Sequence, residues 1–282
     1  MGLDAMYIES VVKAALLEDI GSGDITTLLT VPCDATAHAT ITAKESGVLA
    51  GQKLTGAVFQ QFSGAVYEPA IPDGSRVEPG DLIGSVSGGA RSILTGERTA
   101  LNFLQQMSGV ATLTAKYVDQ VKHTKARIVD TRKTTPGLRR LEKYAVCVGG
   151  GYNHRFGLDD GILIKDNHIA ASGGITAAIK AAKDRAPHTL KIEVEVTNIE
   201  QLDEAIRAGA DIVMLDNMTL DEMRRAVIKA EGRVPLEASG GVNLDTVRQI
   251  AETGVDIISV GALTHSAPAL DISLNIGASV DG

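Results

Sequence analysis

The chain has 282 residues, 44% apolar and 22% charged, with a formal charge of -8; this ordinary globular composition sets a prior of one large domain or two. The acidic balance, the absence of Trp and the few aromatic residues argue against nucleic acid as the main partner. Two cysteines, Cys33 and Cys147, give neither a disulfide framework nor metal-ligand spacing and fit a reducing cytoplasm, while no secretory signal and no apolar run of about 20 residues point to a membrane.

Residues 4–18 place apolar side chains at Met6, Ile8, Val11, Val12, Ala15 and Leu16, the spacing of a short amphipathic helix, and GSGD at 21–24 breaks it. Residues 36–49 alternate through Ala37, Ala39, Ile41 and Ala43, which predicts a half-buried strand. Helix spacing returns over 52–63, and the Pro-Asp-Gly and Pro-Gly turns that follow punctuate short strands. The first hundred residues therefore read as an α+β domain with an antiparallel sheet. Thr95 can N-cap a helix from Gly96 to Met107, with a second from Val110 to Val121 joining the two halves.

From Arg127 onward the pattern is strand, loop, helix, repeated. Apolar runs at 127–130, 162–165, 191–196, 211–216, 235–239 and 256–261 alternate with helix patterns at 137–148, 174–185, 198–208, 219–230 and 243–253. Continuous apolar strands between helices predict a parallel sheet buried on both faces. Glu195, Asp216, Ser239 and Gly261 recur every 21 to 23 residues, a module repeat that closes into a barrel. Six strands instead of eight predict an atypical, incomplete α/β barrel; a doubly wound open sheet is the alternative. The domains expected are 1–108, which the tail 266–282 is placed to rejoin, and 109–265.

Charge is distributed unevenly. From Lys122 to Arg155 there are nine Lys or Arg against Asp130 and Glu142, so the remainder of the chain carries about -15. Concentrated cations disfavour folding unless an anion sits among them, so this stretch is read as the wall of a pocket for a small polyanion. Barrels carry their chemistry at the C-terminal strand ends. Here those ends read Asp130-Thr131-Arg132-Lys133, Lys165-Asp166-Asn167-His168, Glu195, Asp216-Asn217, Ser239-Gly240-Gly241 and Val260-Gly261-Ala262. The two glycine turns suit a monophosphate, since glycine lets main-chain N–H groups approach an anion. Glu195 and Asp216 either balance Lys133 and Lys165 or orient a ribose and help hold Mg²⁺. Glu193 points to the same side of its strand as Glu195, so the choice between them stays open. Lys165 has a second reading as a Schiff-base lysine.

The run TRKTTPGLRRLEKYAVCVGGGYNHRFGLDDGILIKDNHI closely resembles quinolinate phosphoribosyltransferase, the decarboxylating nicotinate-nucleotide pyrophosphorylase of NAD synthesis. So do DIGSGDITT (19–27), GERTALNFLQQMSGVAT (96–112), EVEV (193–196), LDN (215–217), EASGG (237–241) and SVGALTHS (259–266), in the family order over essentially the whole chain. A molybdenum-transport-associated homologue shares GLR, EKYAV and the glycine–His–Arg block, and is the alternative; TRK at 131–133 and KDNH at 165–168 favour the enzyme. The resemblance implies an α/β sandwich domain followed by an atypical barrel, assembled as a homodimer or larger homo-oligomer. It implies that quinolinate and phosphoribosyl pyrophosphate are the substrates, with Mg²⁺ as cofactor. Arg132, His154, Arg155 and Lys165 would surround the pyridine dicarboxylate, together with Arg98 from the neighbouring subunit. Thr131 belongs to the same substrate loop, and Lys133 would meet the pyrophosphate. Glu195 and Asp216 would serve the ribose and, through water and pyrophosphate, the metal. Ser239, Gly240, Gly241, Val260, Gly261 and Ala262 would take the 5-phosphate.

Overall fold

A computed structural model describes residues 2–277, in two compact units. Among the described residues, unit one comprises 2–113, Arg140–Gly149 and 267–277; unit two comprises Thr114–Arg139 and Gly150–Ser266. Of the tail expected to rejoin the first domain, 278–282 lies outside the described residues.

The first unit opens with helices α1 (Ala5–Ile20) and α2 (Ile25–Thr30). Asp4 and Asp24 cap them, each accepting the N–H three residues on. Strands β1 (Thr36–Ala43) and β2 (Gly47–Val48), helix α3 (Gln52–Phe59), and strands β3 (Ala65–Pro69), β4 (Arg76–Val77) and β5 (Leu82–Gly89) follow. The main sheet contains β1, β5 and β3, all antiparallel, and the last described segment, Ile272–Gly277, returns to pair with the other edge of β1. The expected alternation holds, with Ala39, Ile41 and Ala43 wholly buried.

One helix, α4 (Ala90–Val121), replaces the two expected over 96–121. Gly109 reads as a break in the sequence, but its function is packing. A Cβ there would lie 2.0 Å from the carbonyl oxygen of Pro268, in the tail that also donates Leu270 N–H to the Gln105 carbonyl. Close approach of two backbones selects glycine while the helix runs through.

The second unit contains β6 (Arg127–Val129) and then, after α5 (Arg139–Val148), the elements β7 (Ile162–Ile164), α6 (Asp166–Ser172), α7 (Ile175–Arg185), β8 (Ile192–Val196), α8 (Ile199–Ala208), β9 (Ile212–Asp216), α9 (Leu220–Ala230), β10 (Leu236–Ser239), α10 (Val247–Ala251), β11 (Ile257–Ser259) and α11 (Ala262–His265); the tail strand Ile272–Gly277 is β12. All six strands read from the sequence are present, with ends within two residues of those expected. They form one parallel sheet ordered β6-β11-β10-β9-β8-β7. From β7 to β11 each strand adjoins the next in chain order, as in a barrel, and no reversal of winding marks a doubly wound sheet.

The sheet does not close. Among the described residues β6 pairs with β11 but not with β7. The other edge of β6 is taken by irregular chain: Tyr152 N–H donates to the Ile128 carbonyl at 2.9 Å, and Asp130 N–H donates to the Tyr152 carbonyl at 3.1 Å. Those are the groups a neighbouring β7 would have used. Most of α5, expected within the barrel domain, belongs to the first unit. There Tyr144 Oη donates to Asp73 at 2.7 Å, and the Arg140 guanidinium pairs with Asp4 and lies 4.6 Å from the centre of the Tyr7 ring.

Candidate active site

At the C-terminal ends of the second unit's strands lies a cavity of about 640 Å³. Every strand contributes at least one lining residue. Thr131, Arg132 and Lys133 follow β6, and Lys165 follows β7. Glu195 is the penultimate residue of β8, while Asp216 ends β9, Ser239 ends β10 and Ser259 ends β11. His154 and Arg155, from the loop beside β6, complete the cationic side.

Local hydrogen bonds hold this loop structure. Asp130 is fully buried; its carboxyl accepts the His154 N–H at 2.9 Å and the Asn153 side-chain amide at 2.5 Å. The basic wall is thereby tied to β6 by the first residue past the strand. Thr131 Oγ1 accepts the Lys133 N–H at 3.0 Å, and Thr264 Oγ1, on α11, donates to the Lys133 carbonyl at 2.6 Å. Arg139 Nη1 reaches the Phe156 carbonyl and its Nε reaches Thr134 Oγ1, which joins the loop after β6 to the segment after Arg155.

Arg132 and Arg155 are half-buried together. Arg132 Nε is buried without a hydrogen-bond partner, and burial, followed by the charge of Arg132, holds the Arg155 pKa below the usual guanidinium value. Two like charges partly withdrawn from water favour an anion between or beside them. Lys165 Nζ lies 2.5 Å from Glu195 Oε2.

The acids occupy two layers, because strand side chains alternate. Near the mouth stand Glu195 and Asp216; one residue pair deeper stand Glu193 and Glu237. The deeper pair is 5% and 2% exposed. Both carboxyls and His154 Nε2 lie within 4.8 Å of one another. His154 Nε2 is 3.1 Å from Glu193 and 3.6 Å from Glu237. His154 Nδ1 accepts the Arg155 N–H at 2.7 Å, so Nε2 bears the ring proton and points at the acids. Glu193, paired with Glu195 as an open choice in the sequence, therefore faces the histidine, whereas Glu195 faces Lys165. Glu237 carried no role in the sequence reading, although LEAS places it two residues before Ser239 and hence on the same side of β10.

Beyond Ser239 the chain bends tightly. Gly240 (φ 92°) and Gly241 (φ 62°) are in the left-handed region, and a Cβ on Gly240 would lie 2.2 Å from Asn217 Oδ1. Asn217, itself at φ 53°, donates its amide to Asp216 Oδ2 at 3.1 Å. The glycine thus makes room for the residue that orients the acid. Gly240, Gly241, Gly261 and Ala262 line an adjoining cavity of about 220 Å³ with Thr131 and Lys133. Val260 lines neither cavity; it is buried in the core. Arg98 is exposed on α4, in the first unit.

The sequence matches the family described as "Quinolinate phosphoribosyl transferase, N-terminal domain" over residues 24–108 and the corresponding C-terminal domain family over 110–275. It is 44% identical over 275 residues to the probable nicotinate-nucleotide pyrophosphorylase [carboxylating] of Bacillus subtilis, covering 97% of this chain and 95% of that one. The enzyme of that name from Mycobacterium leprae is 44% identical over 274 residues, covering 94% and 95%. Among solved structures, NadC from Streptococcus pyogenes superimposes with a TM-score of 0.94 at 43% identity over 99% of this chain and all of that one. The nicotinate-nucleotide pyrophosphorylase of Francisella tularensis gives 0.94 at 42% identity over 98% of each.

Proposed function

The chain belongs to the quinolinate phosphoribosyltransferase family, and from that premise we propose how its cavity carries out decarboxylating phosphoribosyl transfer in NAD biosynthesis. The enzyme joins quinolinate to phosphoribosyl pyrophosphate and yields nicotinate mononucleotide, pyrophosphate and CO₂. Relatives named for the pyrophosphorylase, matched over nearly the full chain, decide against the molybdenum-transport alternative. The observation that carries the site reading is the gathering of Arg132, Arg155 and Lys165 around one cavity at the strand ends of an acidic chain.

Planar guanidinium groups suit bidentate binding of adjacent carboxylates, and each charge-assisted bond contributes roughly 1.5–3 kcal/mol. Arg132 and Arg155, with Lys165, hold the pyridine dicarboxylate, and His154 braces their loop from below. Lys133 faces the pyrophosphate. The turns at 239–241 and 260–262 bind the 5-phosphate through main-chain N–H groups, Val260 contributing backbone alone. The ring nitrogen then attacks the anomeric carbon as pyrophosphate leaves, and Glu195 and Asp216 stabilise the ribose as it gains positive charge. The same two acids, at the mouth beside a site for pyrophosphate, fit Mg²⁺ held largely through water and phosphate oxygens. When bound, the ion neutralises charge building on the leaving group.

Mixing the protein with Mg²⁺, phosphoribosyl pyrophosphate and quinolinate should produce nicotinate mononucleotide with equal pyrophosphate release. Absence of both products would remove this function. The two free cysteines, Cys33 and Cys147, suit a cytoplasmic location, and no described helix is long and apolar enough to cross a membrane.

We assign Arg98 to the site of a partner subunit in a homodimer or larger homo-oligomer. Coexpressed Arg98→Ala and Lys133→Ala chains, each inactive alone, then recover about a quarter of wild-type activity, because half of random dimers contain one intact site. Mixed assemblies no more active than either parent would show that Arg98 acts within its own chain.

A further inference from the structure

We propose that Glu237 is the acid that delivers the proton to the ring carbon from which CO₂ departs. The proposal rests on the reaction above, which leaves that carbon with an electron pair beside the cationic ring nitrogen and must end with a C–H bond. Three observations select Glu237 from the groups around the cavity.

The first is position. Glu237 lines the cavity at the strand ends and also a second cavity of about 230 Å³, which shares His154 and Arg155 with it and reaches the strand starts at Ile162, Ile212 and Ile257. The rim of this lower cavity includes Asp160 and Lys191, both exposed. A donor used once per turnover has to be reloaded, and Glu237 has substrate on one side and a route toward solvent on the other.

The second is its environment. Glu237 is 2% exposed, and Oε1 is buried without a hydrogen-bond partner, as is Oε1 of Glu193. Two carboxylates this close and this dry do not both ionise. Burial, and then the Glu193 carboxylate, push the Glu237 pKa up to about 8, so Glu237 is an acid at neutral pH. His154 and Ser259 act in the opposite sense without cancelling this.

The third is that Lys165 and His154, the other donors beside the proposed dicarboxylate site, are committed. Lys165 is paired with Glu195. The one ring proton of His154 is directed at Glu193, because Nδ1 already accepts from Arg155.

The step balances simply. The bond between the ring carbon and its carboxylate breaks, CO₂ leaves and the electron pair stays on carbon. The Glu237 O–H bond then breaks as the new C–H bond forms. The Glu237 carboxylate takes its next proton from water in the lower cavity, and no oxidant or further reactant is required.

Glu237→Gln keeps the size and neutrality of the side chain but removes the acid. It should lower kcat about 100- to 10,000-fold while leaving KM for both substrates within about threefold. Glu237→Asp, which retains an acid, should recover part of the loss. Wild-type kcat should fall as pH rises through about 8, because the donor is lost on ionisation, and the Gln variant should lack that limb. Glu193 on β8 and His154 from the loop act on Glu237 directly, and the other charged groups lining its two cavities are Arg155 and Asp160 from the loop, Arg132 and Lys133 after β6, Lys165 after β7, Lys191 and Glu195 at β8 and Asp216 on β9. Changes confined to them would move the limb without abolishing it. A Gln variant within threefold of wild-type kcat, or one that keeps the alkaline limb, overturns the proposal. Should the Gln variant not fold, a wild-type profile flat to about pH 9.5 overturns it and a fall near 8 sustains it. Wild-type protein that makes no nicotinate mononucleotide defeats the parent reaction instead, so the two failures are distinguishable.

Discussion

Arg132→Ala lowers kcat/KM for quinolinate about 30- to 1000-fold, a loss of roughly 2–4 kcal/mol of transition-state stabilisation. The buried Nε without a partner and the neighbouring Arg155 show a cation held ready for a ligand at an electrostatic cost. On the proposed reading, removing it leaves one carboxylate of the substrate without its counter-charge in the cavity. The loop does not depend on this side chain: the Arg132 carbonyl still accepts from Thr134 N–H at 3.0 Å, and Arg139 still spans the segment. Thermal stability should therefore stay near wild type while turnover collapses. Arg132→Lys restores charge but not the planar fork, so it should recover only part of the activity. Steady-state kinetics with varied quinolinate decide the matter, and wild-type kinetics in the Ala variant would remove Arg132 from the site.

The strand ends were legible because a parallel sheet imposes a simple pattern. Each strand is an apolar run, and polar residues at or just past its C-terminal end line the cavity. Arg132, Lys165, Glu195 and Asp216 all stand where that rule puts them. What it missed depends on contacts distant in sequence. Gly109 reads as a helix break until Pro268 is placed against it. The gap between β6 and β7 follows from Tyr152 occupying the edge of β6, which no periodicity encodes. Helix α6 is short and begins with Asp166-Asn167-His168, residues that read as a loop. His168 Nδ1 accepts the Lys165 N–H at 3.0 Å and caps the turn from within it. Glu237 had a signal, its alternation with Ser239, but the glycine turn beside it drew the functional reading.

Asp130→Ala should have the largest effect on folding, lowering stability by about 3–5 kcal/mol. This carboxyl is wholly buried and accepts two donors, the His154 N–H and the Asn153 amide. Hydrogen bonds to a charged acceptor contribute roughly 1.5–3 kcal/mol each, and their removal strands both donors. The loss should appear as a lower denaturant midpoint with little change in slope. Activity should fall further than stability alone explains, because His154 and Arg155 are held to β6 through the same carboxyl. At concentrations where the Ala variant remains folded, KM for quinolinate should rise, marking displacement of Arg155 instead of loss of protein. Asp130→Asn separates the two bonds. Its remaining oxygen can still accept the His154 N–H, but its amide faces the Asn153 amide, donor against donor. That variant should lose less stability than Ala and keep KM nearer wild type. An Ala variant that unfolds at the wild-type midpoint would mean that the basic loop is anchored elsewhere, and that the cationic wall owes its position to contacts other than this carboxyl.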